Sequence, residues 1–172
     1  MKQLINLLEN YPQTKRDIKE RGEDKTEEDR AIARQFGEEF FDGERRHGYG
    51  GFNYFPRFWQ PVIPTFQQHY GLTTDSRILD VGCAKGFMLY DFTEIIPGIE
   101  VHGVDVSAYA IENAKEEIRD RVQVAGATAL PFDDNAFDLV ISINTVHNLE
   151  GEDLERSFQE IERVSNGNSF IT

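Results

Sequence analysis

One cysteine, one tryptophan, two methionines and 18 basic residues against 31 acidic ones mark this 172-residue chain by what it has little of. A lone thiol, Cys83, has no partner for an intramolecular disulfide, so a reducing compartment suits it. Four histidines and no paired-cysteine spacing provide no set of metal ligands, and no metal site is expected. The N-terminal run Leu4-Ile5-Asn6-Leu7-Leu8 ends at Glu9. It is far short of the roughly 20 residues a membrane-crossing helix needs, and its flanks are wrong for a signal peptide. A cytoplasmic protein without membrane contact is expected. Its net charge of −13 repels phosphate backbones, which argues against nucleic acid as a partner. Residues 1–30 carry seven basic and eight acidic side chains, so the excess lies almost wholly in the remaining body.

The chain does contain an apolar run that meets a carboxylate and then a glycine-punctuated turn, Ile78-Leu79-Asp80-Val81-Gly82-Cys83-Ala84-Lys85-Gly86. Gly82 and Gly86 let the backbone approach a ligand without Cβ obstruction, and a helix starting near Phe87 aims unpaired N–H groups at the same spot. A dinucleotide fingerprint needs glycine at three places, held here by Gly82, Ala84 and Phe87. Phenylalanine at the third place disfavours an NAD-dependent enzyme, because its bulk separates helix from sheet. A plain strand-to-helix turn is the other alternative. After the helix Phe87 to Ile96 and the turn Pro97-Gly98, a second apolar run ends at Asp105, 19 residues beyond Gly86. An acid about 20 residues on, at the end of the second strand, is placed to grip a ribose diol. Its competing role is to cap the helix after Ser107.

Strands are expected near 77–81, 100–105, 121–125, 137–143 and 168–172, with helices between them. The last helix has acids at its start, an apolar stripe of Leu154, Phe158, Ile161 and Val164, and Gly167 as its stop. Right-handed crossovers then give a Rossmann-like, doubly wound parallel α/β sheet of order 3-2-1-4-5, with helices on both faces and the ligand at the carboxyl ends of strands 1 and 4.

These segments resemble the class I S-adenosylmethionine-dependent methyltransferases of the small-molecule type. The resemblance rests on the run from Asp80 to Gly86, on Gly103-Val104-Asp105-Val106-Ser107, on Ala127-Thr128-Ala129-Leu130-Pro131-Phe132 and on Phe137-Asp138-Leu139-Val140-Ile141-Ser142. It covers roughly residues 70–172. The lead-in Tyr49-Gly50-Gly51-Phe52-Asn53-Tyr54 is similar to that of a bacterial subset. The resemblance implies S-adenosyl-L-methionine as cofactor, held by Asp80, Gly82, Cys83, Ala84, Gly86, Asp105, Val106, Gly126, Ala127, Ile143 and Tyr49. Two positions depart from the family pattern: Ala84 replaces a second loop glycine, and Gly126 stands where members place Asp or Asn to accept from the adenine amino group. Adenine recognition then falls to backbone groups of Gly126 and Ala127 and to apolar contacts with Val106 and Leu130. Cys83 is expected to fill the loop rather than act as a nucleophile, as no His or Asn partner is suggested nearby.

Two domains are expected, a helical extension with a possible lid at 1–60 and the cofactor-binding unit at 61–172. In the extension, a short helix Gln3 to Glu9, a break at Pro12, a mixed-charge helical stretch from Lys15 and one apolar face of Ile32, Phe36 and Phe40 are expected. Residues 36–59 hold nine of the 20 aromatics, interleaved with Gly43, Gly48, Gly50 and Gly51, the composition of a hinged cover. Tyr49, Tyr54, Arg57 and Trp59 are candidates for the lid or pocket, with core packing as their alternative, and His47 is expected on a solvated loop.

The strand-4 exit supplies the catalytic candidates. His147 could accept a proton from the substrate, since imidazole ordinarily titrates near neutral pH, or else cap the next helix. Asn144 would orient cofactor or substrate. The expected acceptor is a small molecule, methylated at O, N or C; a catalytically silent cofactor-binding or interaction protein is the alternative. Phe170-Ile171-Thr172 would leave an apolar sheet edge, so the chain is expected to be a fragment lacking the family's C-terminal strands, or to pair through that edge as a homo-oligomer.

Overall fold

Apolar residues at consecutive positions characterise a strand covered on both faces. Arg77–Val81 (β1) and Leu139–Ser142 (β4) take that place in the computed structural model, which describes residues 5–12 and 25–172. With Glu100–Asp105 (β2), Val122–Val124 (β3) and Ser169–Ile171 (β5) they form one parallel sheet of five strands in the expected order β3-β2-β1-β4-β5. The register sets Ile78 beside Leu139 and Leu79 beside Val140. Side chains alternate across the pleat and feed two cores. Ile78, Val101 and Ile141 pack with Ile63 and Phe66 of Ile63–Tyr70 (α4) and with Leu89 and Phe92 of Phe87–Ile95 (α5). Leu79, Val81, Val104 and Val140 pack with Ile161 and Val164 of Gly151–Val164 (α7).

The stripe on α7 differs from expectation at one residue. Phe158 is 43% exposed, while Ser157 is fully buried and donates its hydroxyl to the Leu154 carbonyl at 2.7 Å. The buried line therefore runs through Leu154, Ser157, Ile161 and Val164 and leaves Phe158 on its flank. Helix α7 ends at Ser165, and Gly167, at φ 98°, turns the chain into β5. Phe170 of β5 packs edge-on against Phe66, with ring centroids 4.9 Å apart.

Ahead of the sheet lie Glu27–Ala33 (α1), Glu38–Phe41 (α2) and Pro56–Trp59 (α3). Thr26 and Asp29 cap α1 reciprocally through backbone N–H groups at 3.1 and 2.9 Å. The single helical face expected through Ile32, Phe36 and Phe40 is broken: Phe36 takes a left-handed φ of 49°, and Gly37 starts α2 afresh. Of the helix expected from Gln3 to Glu9, residues 7–10 form turns, with Leu7 buried in the core; Gln3 and most of the mixed-charge stretch, residues 15–24, fall outside the described residues. Ala108–Glu112 (α6), with Ser107 as its N-cap, links β2 to β3. No helix among the described residues is long and apolar enough to cross a membrane.

Candidate functional site

β1 delivers its last residue, Val81, to a bend in which Gly82, Ala84 and Gly86 all lie at positive φ, 88°, 50° and 72°. The amides of Gly82 and Cys83 donate to the Val104 carbonyl of β2 at 2.8 and 3.0 Å, so the bend wraps over the neighbouring strand. A Cβ on Gly82 would lie 2.0 Å from Thr145 Oγ1. Gly82 is thus demanded by both backbone and space. Gly86, the N-cap of α5, is buried, and a Cβ there would strike Ile118 Cδ1 at 2.3 Å. Cys83 is also buried, seated over Gly103, where a Cβ would lie 2.7 Å from its Sγ. Burial pushes its thiol well above its ordinary pKa, in keeping with a filling role.

Gly82 and Ala84 open onto a cavity of about 710 Å3 at the carboxyl ends of β1, β2 and β4. The same wall holds Asp105, Val106, Gly126, Ala127, Ile143 and Asn144, together with Tyr49 and His147. Asp80, Cys83 and Gly86 lie behind the bend and do not line it, and Leu130 is buried in the core on the α7 side, so the apolar contact expected of it with a base is absent. A second, more polar hollow of about 660 Å3 lies among Arg77 and residues 130–136, at the opposite end of β1 from the glycine bend.

Asp105 closes the bend from β2. Its Oδ2 accepts from the Ala84 amide and its Oδ1 from the Ser107 amide, both at 2.8 Å. The helix-cap role expected as its alternative falls instead to Ser107, whose hydroxyl accepts from the Ala110 amide at 3.0 Å. Burial pushes the Asp105 carboxyl up while these amides hold it down. Behind it, burial and then the charge of Asp105 push Asp80 up to about 7. An S-adenosylmethionine fits these residues: Gly82 leaves room for its backbone-sized amino-acid end, Asp105 offers acceptors for a diol, and Val106, apolar yet 59% exposed, offers a face for a base. Among the described residues no group of three or more His, Cys, Asp or Glu could hold a metal ion.

The extension builds the remaining wall from Ala33, Arg34, Phe36, Phe40, Phe41 and Tyr49. Phe40 and Tyr49 meet edge to face at 5.2 Å, and Phe41 and Tyr49 stack at 5.8 Å. Four bonds from three residues tie this wall down. Lys85 Nζ, from the glycine bend, donates to Asp42 Oδ2 at 2.6 Å and to the Phe52 carbonyl at 3.1 Å; Tyr109 donates to the same Asp42 oxygen at 2.7 Å; Ser107 donates its hydroxyl to the Phe36 carbonyl. Of the four lid candidates only Tyr49 reaches the cavity. Tyr54 donates instead to the fully buried Asp91 at 2.6 Å, Arg57 lies over the rings of Phe55 and Phe58, and Trp59 packs against the core and Tyr11. His47 is not solvated; it is 6% exposed, with Nε2 3.3 Å from Asp29 and Nδ1 3.1 Å from Glu39.

Asn144 takes a left-handed φ of 54° at the exit of β4, and its amide donates to Thr172 Oγ1 at 3.3 Å. His147 stands exposed in a short 3-10 turn, Val146–Asn148, in the cavity wall. It does not cap α7, whose N-cap position is Glu150. Thr145 and Asn148 of the strand-4 exit, and Leu149 and Asp153 beyond it, complete this side; the last two lie outside the segment expected to face the transfer path. The packing of Thr145 against Gly82 is a contact that no spacing reveals.

A family model described as a methyltransferase domain matches residues 79–171, more than half of the chain. An uncharacterised methyltransferase of Schizosaccharomyces pombe is 29% identical over 119 residues, 62% of this chain and 42% of that protein. The malonyl-[acyl-carrier protein] O-methyltransferase of Legionella pneumophila is 32% identical over 99 residues, 55% of this chain and 34% of that protein. The chain therefore spans less than half the length of either relative. A solved structure from Methanococcus maripaludis, assigned to the S-adenosyl-L-methionine-dependent methyltransferases, superposes with a TM-score of 0.56 at 22% identity, over 66% of this chain and 54% of that one, a likeness of fold.

Proposed function

The chain belongs to the methyltransferase-domain family of the class I, S-adenosylmethionine-dependent kind, and from that premise we propose that it transfers a methyl group to an O, N or C atom of a small molecule. The observation that carries this reading is the single cavity in which the glycine bend, Asp105, the 126–127 segment and the β4 exit converge.

In this reading the backbone of Gly82 to Ala84 takes the amino-acid end of the cofactor and Asp105 the ribose diol. Both Asp105 oxygens already accept one amide, and each keeps a second acceptor direction for a hydroxyl. Val106 and the backbone of Gly126 and Ala127 take the adenine. The sulfonium makes the methyl group electrophilic without help from the protein, so the chain's tasks are to align an in-line transfer and to exclude water. Ile143 and Asn144 flank the transfer path, and Phe40, Phe41 and Tyr49 cover it. A hydroxyl or amine acceptor would give its proton to His147 Nδ1 or Nε2, whereas a carboxylate acceptor is already nucleophilic. Because the Legionella relative is named for O-methylation of a malonyl thioester, malonyl thioesters belong among the first acceptors to try.

Titration calorimetry with S-adenosylmethionine, S-adenosylhomocysteine and NAD tests the cofactor. Heat with the first two and none with NAD is expected, and the reverse pattern would reject the reading. Incubation with methyl-labelled cofactor and a metabolite extract tests transfer; binding without any labelled product would leave a cofactor-binding module in place of an enzyme.

A further inference from the structure

We propose that Glu160 and Arg163, two α7 side chains that do not line the cavity, are positioning residues that hold the loop beneath the cofactor's adenine and so set the selectivity for that base. This rests on the placement of adenine against Gly126 and Ala127.

The loop leaves β3 at Ala125, whose amide donates to the Asp105 carbonyl at 3.0 Å. That bond ties its near end to β2. The next backbone bond inside it joins Ala129 N to the Gly126 carbonyl at 3.3 Å and closes a local turn with no link to the sheet. The far end is held by side chains instead. Glu160 Oε2 accepts from the Leu130 amide at 2.7 Å, and Arg163 Nη2 donates to the Leu130 carbonyl at 3.0 Å, so both backbone groups of one residue are gripped from α7. Arg163 Nη1 adds the Phe132 carbonyl and Asp134 Oδ1, each at 2.8 Å. The clamp is itself rigid, because Arg163 Nε and Nη2 form a fork onto the two Glu160 oxygens at 2.8 and 2.9 Å. Every guanidinium nitrogen is engaged. Leu130, 4% exposed, is seated in the core by this grip, and residues 126–129 span the gap between the two anchors. Without the clamp no hydrogen bond would fix the far end of the arc, leaving only the packing of the Leu130 side chain, and the backbone groups facing the base would lose their fixed direction.

The test compares two ligands that differ at the base edge, S-adenosylhomocysteine and S-inosylhomocysteine, by calorimetry on the full chain. The ratio of the two dissociation constants is the readout, because a change in the folded fraction affects both equally and cancels. The wild-type protein is expected to prefer the adenosyl ligand by about tenfold, the value of one hydrogen bond. In Arg163→Met the adenosyl affinity is expected to fall about tenfold or more and the ratio to approach one. Arg163→Lys, which keeps the charge and can reach one carbonyl, is expected to lie between them, and it supplies the same ratio if Arg163→Met does not fold. An unchanged ratio in either variant, beside a discriminating wild type, overturns the proposal. A wild type that binds S-adenosylhomocysteine but does not discriminate would overturn the adenine placement and this inference with it, while leaving the cofactor assignment standing.

Discussion

At Gly82 two constraints act on one atom. Its φ of 88° lies where L side chains are strained, and the missing Cβ is replaced in space by Thr145 Oγ1, 2.0 Å away. Gly82→Ala must therefore move either the bend or the β4 exit, both of which form the cavity wall. Cofactor affinity is expected to fall at least about tenfold and stability by roughly 1–3 kcal/mol, checked by calorimetry and thermal melting. Ala84 has a comparable φ of 50° but serves differently, since its amide is spent on Asp105. Asp105→Ala releases that amide and removes the acceptors offered to the ribose. A loss of about 1–3 kcal/mol in cofactor binding is expected. Affinity equal to that of the wild type would take Asp105 out of the site.

The aromatic cover is held by an element-to-element bond rather than by the apolar face its sequence suggests. Asp42, the C-cap of α2, accepts from Lys85 of the glycine bend and from Tyr109 of α6. Lys85 is only 7% exposed, so Asp42→Ala leaves a buried ammonium with no carboxylate. A loss of about 3 kcal/mol in urea unfolding is expected, with cofactor affinity reduced as the cover loosens. Destabilisation without an effect on affinity would show that the cover does not touch the ligand. None of this is legible in the sequence, because the partners stand 43 and 67 residues apart. The centre of the sheet is legible because β1 and β4 are apolar on both faces, β1 runs into a glycine and β2 ends in a carboxylate, signals that are local. Phe36 and Phe158 mark the boundary between the two kinds of information: each fits a helical spacing, yet a left-handed backbone turns the first aside and a buried Ser157 displaces the second. His47 lay in a glycine-rich stretch that reads as open loop, and only the folded chain brings Asp29 and Glu39 to its two nitrogens.

For the molecule as a whole, the surplus of acid includes a buried carboxylate, Asp80, that lies within reach of the charge of Asp105. Asp80 ionises near 7 because burial and Asp105 both oppose its charge, against 3.8 for an unburied aspartate. Between those two pH values the folded chain keeps a proton that the unfolded chain has released. Stability from this group is therefore greatest at low pH, falls as pH rises from about 4 to 7, and is level above that, by on the order of 4 kcal/mol at most. A cation placed before the pair reverses the sign for binding, since it favours ionised Asp80. S-adenosylmethionine carries a sulfonium charge that S-adenosylhomocysteine lacks, so its affinity is expected to rise more steeply than that of the product as pH approaches about 7 from below, with proton release on binding in that range, and to level off above it. Calorimetry in buffers of different ionisation heat measures both quantities. Asp105 also sits above its ordinary range, and His147 faces the same cavity, so the control is Asp80→Asn, which should bring the two pH slopes together. Parallel slopes already in the wild type would mean that the Asp80 charge does not sense the sulfonium, and that the bend holds the cofactor by shape and backbone alone.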